Sequence, residues 1–254
     1  MLPRTNFHSS KLIRRLADLA LVDAVDPGNA FAEKLGLWIH FADAIALSAV
    51  HNDSMASPSK SPLQIQSEAQ FAARAAAGVE FGRIQAFLMN SITKSCSFNP
   101  GKTHIQLPTP ALELPLDLRA AYAPYRRFYE AHQRDMELSI QPLRSNVREA
   151  LAKASPRLKK LADLDAALEK ILRDRERQLL SKVPMLLKKR FEKLFKEHQQ
   201  KLVDARQADN PAAWMQAGAW LARFCSDMQS LLLAELELRL QPTLGLIEAC
   251  DEKN

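Results

Sequence analysis

A phosphate-binding loop is approached at Asn99-Pro100-Gly101-Lys102-Thr103, which resembles the end of a motif whose glycine amides cradle phosphate while its lysine reaches it. Two requirements fail: Cys96 stands where the first glycine belongs, and His104-Ile105-Gln106-Leu107-Pro108 opens no helix and follows no evident strand. A di-iron bundle needs Glu-x-x-His on two helices, and no glutamate here has a histidine three positions later. HExxH, GxSxG and GxGxxG are also absent. The histidines His8, His40, His51, His104, His132 and His198 are scattered singly, and Cys96, Cys225 and Cys250 form no CxxC pair, so neither a zinc site nor a disulfide framework is expected. These residue types yield no catalytic, cofactor or metal set, and the expectation is a protein that is not an enzyme.

Charge gives the strongest positive signal. The net charge is +6. Between Leu143 and Arg206 there are 18 Lys+Arg against 9 Asp+Glu, so the excess belongs to that segment. It is densest in Lys188-Lys189-Arg190-Phe191-Glu192-Lys193-Leu194-Phe195-Lys196. Lys188, Lys189, Arg190, Lys193 and Lys196 form a candidate interaction face, suited to an acidic protein or to phosphates and anionic headgroups, with aromatics available for stacking or insertion. The simpler reading is a solvated back, because Phe191, Leu194 and Phe195 share bundle-core spacing with Leu187 and Leu202.

The elements that would hold these residues are helices almost everywhere. Only seven glycines punctuate 254 residues, and the composition is rich in Leu, Ala, Lys, Arg, Glu and Gln without alternating β-branched runs. The fold expected is an all-α, elongated bundle of long, Pro-kinked helices with an N-terminal helical hairpin. Residues 1–51 form the hairpin, with helices to about Ala24 and from about Ala30 to Val50, and Trp38 as anchor. Residues 52–63 read as a Ser/Pro-rich flexible linker, and 64–116 as an Ala-rich helix followed by a loop holding Pro100, Pro108, Pro110 and Pro115, for which the disordered reading is favoured.

Residues 117–250 read as the long-helix bundle. Its first helix runs to Ala154 with a kink at Pro142, and Ser155-Pro156 caps the next. That helix, bent at Pro184, would span about 75 Å if continuous over 157–206. A final helix over 212–249 carries Leu221, Phe224, Met228, Leu231, Leu232, Leu236 and Leu240 on one stripe, the spine that the others cover. Trp214 and Trp220 fill the core or form an interface patch, and Asp227, Gln229, Glu235 and Glu237 border the spine as helix-pairing contacts or an exposed docking edge. Met136 to Pro142 is echoed by Leu236 to Pro242. No window reaches the length of apolar sequence a membrane span needs, and no secretory leader is read at the N-terminus, so the expected compartment is the cytoplasm.

Several phrases together resemble an uncharacterised, mostly β-proteobacterial family, domain of unknown function 3348. They are Phe31-Ala32-Glu33-Lys34-Leu35-Gly36-Leu37-Trp38 with Asp43-Ala44-Ile45-Ala46-Leu47-Ser48, Leu179 to Pro184, and above all Phe224 to Leu236 with Leu240-Gln241-Pro242. The resemblance spans most of the chain outside about 52–118. It implies, through neighbouring genes for membrane proteins resembling a motor stator and a peptidoglycan-binding partner, a cytoplasmic accessory of a cell-envelope complex. The functional expectation is therefore a non-enzymatic interaction or scaffold protein that binds a protein partner or itself. The alternative is a nucleic-acid or anionic-membrane-surface binder using the basic 144–196 helices.

Overall fold

The computed structural model describes residues 10–22, 39–52, 63–97, 103–110 and 117–250. Among them the chain is helical, with no strand. The helices are α1 (Lys11–Asp18), α2 (Phe41–Asn52), α3 (Leu63–Ser95), α4 (Leu118–Ala154), α5 (Pro156–Leu180), α6 (Val183–Ala205) and α7 (Trp220–Glu248), with a short 3₁₀ turn at Pro211–Ala213. The all-α bundle of long helices is as expected. Trp38, the start of the hairpin's second helix, most of the 52–63 linker and Pro100-Gly101-Lys102 lie outside the described residues.

Several boundaries differ from periodicity, each for a local reason. Helix α1 stops at Asp18, short of Ala24, because Ala20 turns left-handed at φ 53° and its N–H closes on Ala17 O at 2.8 Å. The expected 157–206 helix is two helices. Pro184 has no N–H for the Leu180 carbonyl, so α5 ends at Leu180 and a turn at Ser181-Lys182 starts α6 with proline in its first turn, where the missing donor costs nothing. The freed Leu180 carbonyl accepts instead from Gln133 Nε2 on α4 at 3.1 Å. Ser155 performs the expected capping, accepting from the Leu158 N–H at 3.3 Å. Asn210 likewise accepts from Ala212 N–H, but it caps only the 3₁₀ turn; Gly218 at φ 81° reverses the chain and the last helix begins at Trp220 rather than at 212.

Chain contacts divide into two compact units. The first takes Met1–Val25, Phe87–Met136 and Leu179–Leu238. Its core is aromatic. Phe191 on α6 meets Tyr122, Tyr125, Trp220 and Phe224 with ring centroids 5.1–5.8 Å apart, mostly edge-on or tilted, as ring quadrupoles favour. The second unit takes Asp26–Ala86, Glu137–Gln178 and Arg239–Asn254. Its α4 and α5 segments bury Leu143, Val147, Leu151, Leu158 and Ala162. They also share a half-buried ion network: Asp165 accepts from Arg144 and Arg148, and Glu169 from Arg148 and Arg173.

The spine on α7 is as the spacing predicts: Leu221, Phe224, Met228, Leu231, Leu232, Leu236 and Leu240 are all buried. Helix α3 is different. Its buried stripe is Ala77, Phe81, Leu88 and Ile92, while Ile84 is half-buried and Phe71, Val79 and Phe87 are exposed. In an Ala-rich helix the period alone does not pick one side.

Candidate functional site

Residues able to do chemistry converge in the first unit, where helical register carries them inward. On α4, His132 follows Tyr125, Phe128 and Tyr129 at core spacing, and on α7 Glu235 sits between Leu231, Leu232 and Leu236. Both are almost completely buried, at 1% and 0% exposure. The signal for them was that register, a polar residue at a position the helix turns inward; their partners lie far away in sequence and left none.

His132 Nε2 lies 2.9 Å from Ser95 Oγ at the end of α3. A nucleophilic serine needs an imidazole that accepts its proton. Here the Ser95 proton goes to the Ile92 carbonyl at 3.0 Å, which leaves the Ser95 oxygen as acceptor of an Nε2–H. The pair thus has the opposite polarity to a serine and its general base. Burial pushes His132 down from 6.5 to about 4, so the ring is neutral at pH 7, packed edge-on to Phe128 at 4.8 Å. The adjoining Cys96 thiol is pushed up to about 12 by burial, with a small opposing contribution from Ser95, and Cys225 also to about 12 by burial. Neither is poised as a thiolate nucleophile.

Glu235 accepts from Tyr129 OH at 2.9 Å and from Gln133 Nε2 at 3.0 and 3.1 Å. A third cluster closes the α6 to α7 connection: Asp209 Oδ1 accepts from Trp214 Nε1 at 2.8 Å and faces His198 Nε2 at 2.9 Å, so that nitrogen carries its proton. His198 stacks on Trp220 with centroids 6.1 Å apart, and both tryptophans are buried, which makes them core rather than interface. Burial raises Tyr122 and Tyr125 well above the usual phenol range. Among the described residues no three His, Cys, Asp or Glu side chains come together as a metal site. The arrangement can fix helix pairing; it offers no base beside a free nucleophile.

The candidate basic face does not survive as one set. Arg190 turns inward and binds Asp227 of α7 at 2.8 Å, and Lys188 leans on Glu192 at 3.6 Å. Lys189, Lys193 and Lys196 remain exposed, while Phe191 and Phe195 are buried and unavailable for stacking or insertion. Of the polar residues bordering the spine, Asp227, Glu235 and Glu237 are helix-pairing contacts, the last with Lys11 of α1 at 2.7 Å. Gln229 is half-buried.

Residues 1–252 match the model of a family described as Protein of unknown function (DUF3348). No curated protein and no solved structure matches the chain. No helix among the described residues is long and apolar enough to cross a membrane.

Proposed function

We propose that this chain, which belongs to the DUF3348 family of proteins of unknown function, is a non-enzymatic helical interaction protein that works in the cytoplasm as an accessory to a cell-envelope complex. One observation carries the reading: chemistry-bearing side chains turn inward onto one another while large apolar ones face solvent. Ser95, His132, Tyr129, Gln133 and Glu235 are spent on inter-helix hydrogen bonds. Phe71 and Val79 on α3 are 71% and 74% exposed, and Met185 and Val203 on α6 are 65% and 70% exposed. Large apolar side chains left on outward helix faces favour a protein partner over a small substrate.

The competing reading, a nucleic-acid or anionic-membrane-surface binder, loses support on two counts. Phe191 and Phe195 are buried, and Arg144, Arg148 and Arg190 are engaged by carboxylates. Cross-linking in the native cell followed by purification tests the proposal. It predicts a companion protein at fixed stoichiometry, retained when Ser95→Ala removes the only hydroxyl set against a buried imidazole among the described residues. Purification of the chain alone, or loss of its cellular role in a folded Ser95→Ala protein, overturns it.

A further inference from the structure

Helix α6 turns two kinds of side chain outward along one row. On a 3.6-residue period Met185, Lys189, Lys193, Lys196 and Val203 share the side opposite Leu187, Phe191, Leu194 and Phe195, and all five are exposed. The three lysines hold no ion pair among the described residues, because nearby carboxylates are committed elsewhere: Glu192 to Lys188, Asp227 to Arg190, and Asp204 to Gln200 Nε2. Glu197 is exposed one turn after Lys193 and borders the row, without an ion pair to it. The row is therefore a positive strip about 27 Å long with an apolar residue at each end.

We propose that this row docks an acidic amphipathic α-helix of a partner protein, with carboxylates at i, i+4 and i+7 opposite Lys189, Lys193 and Lys196, and an apolar residue at each end on Met185 and Val203. The inference rests on the interaction-protein reading above and names the partner's chemistry. Charge complementarity selects the partner, and the spacing selects its form, since the lysines repeat at the turn of a helix, as carboxylates on one face of a partner helix would. A phosphate ligand is less suited. The guanidinium that would grip it in a fork, Arg190, belongs to Asp227, and no aromatic side chain stands on the row to stack on a base.

The full chain titrated with a synthetic helical peptide of about 20 residues, glutamates on one face and leucine near each end, tests this. Binding at low salt is expected to fall about tenfold or more on adding salt to about 0.5 M, where the screening length is a few ångströms. K189E/K193E/K196E should abolish it. M185S/V203S should weaken it several-fold and leave the salt dependence in place. All five positions are on the surface, so the variants keep the parent urea midpoint. Absence of peptide binding, binding indifferent to the charge reversal, or tighter lysine-dependent binding to phosphatidylglycerol vesicles or duplex DNA overturns the proposal. If the peptide fails while native-cell cross-linking still yields a stoichiometric companion, the face assignment falls and the interaction reading stands.

Discussion

Tyr129 on α4 donates its hydroxyl proton to the fully buried carboxylate of Glu235 on α7 across 2.9 Å, 106 residues apart in the chain. Gln133, one turn along α4, divides its amide between the same carboxylate and the Leu180 carbonyl that Pro184 leaves without a backbone partner. One polar knot therefore sets the register of α4 against α7 and secures the α5 to α6 break. Glu235→Ala should lower stability by about 2–4 kcal/mol, since it leaves the Tyr129 hydroxyl and the Gln133 amide without their buried acceptor. Tyr129→Phe should cost about 1–2 kcal/mol. Urea unfolding of the two single variants and the double variant should show losses that do not add. Independent losses would mean that the knot is not a unit.

Acid sensitivity follows from His132. Its folded value, about 4, is below the ordinary 6.5 because burial disfavours the charged ring. The folded state thus binds fewer protons than the unfolded chain at intermediate pH. The contribution is fully favourable above pH 6.5 and is lost as pH falls from 6.5 toward 4, by up to about 1.4 kcal/mol per pH unit. Urea midpoints at pH 7.0 and 5.0 should differ more in the parent than in His132→Leu, although the variant is less stable at pH 7. Equal differences would place a charged ring in the core.

In the second unit, ion pairs of similar length should differ in worth. Burial alone would raise Glu169, yet Arg148 and Arg173 outweigh it and hold the carboxyl below its ordinary range. Asp165 and Glu169 are about one-seventh exposed, whereas the Lys153 and Glu149 pair is mostly exposed. Asp165→Ala strands Arg144 half-buried and leaves Arg148 with Glu169 alone, and should cost about 2–4 kcal/mol; Glu149→Ala should stay within about 0.5 kcal/mol. Thermal denaturation ranks the two.

Glycines separate by backbone conformation rather than by room. A Cβ at Gly78, Gly82 or Gly218 would meet nothing within 4 Å, but only Gly218 has a positive φ, 81°. Gly218→Ala should destabilise by about 1 kcal/mol. Gly78→Ala and Gly82→Ala, in the middle of α3, should stabilise by about 0.5–1 kcal/mol each. Opposite signs in chemical unfolding are the expected result.

The sequence made some of this legible and hid the rest for physical reasons. Apolar spacing marks α4 and the α7 spine, since a 3.6-residue stripe with a single apolar side has one way to face the core. Ser155-Pro156 was readable because a cap is local. The α5 to α6 break was not, because a proline in a helical pattern bends or restarts the helix according to who satisfies the freed carbonyl, here Gln133, 47 residues away. The buried face of α3 is not legible, because its alanines leave Phe71 and Phe81 equally good anchors by period alone. The basic cluster was visible as charge, but the departure of Arg190 to Asp227 depends on packing against α7. Glu235 showed as a carboxylate beside a leucine stripe, and only the approach of Tyr129 and Gln133 decides that it pairs helices instead of docking a partner.

The central claim, that the chain acts by holding a protein partner on the outward row of α6, is tested most directly by site-specific photo-cross-linking in the native cell. A photoreactive residue at Met185 or Val203 should yield one discrete adduct, with the link mapping to an acidic helical segment of the partner, while the same probe at exposed Lys159 on α5 should not. Adducts at Met185 and Val203 no different from those at Lys159, or none at all, would contradict the account.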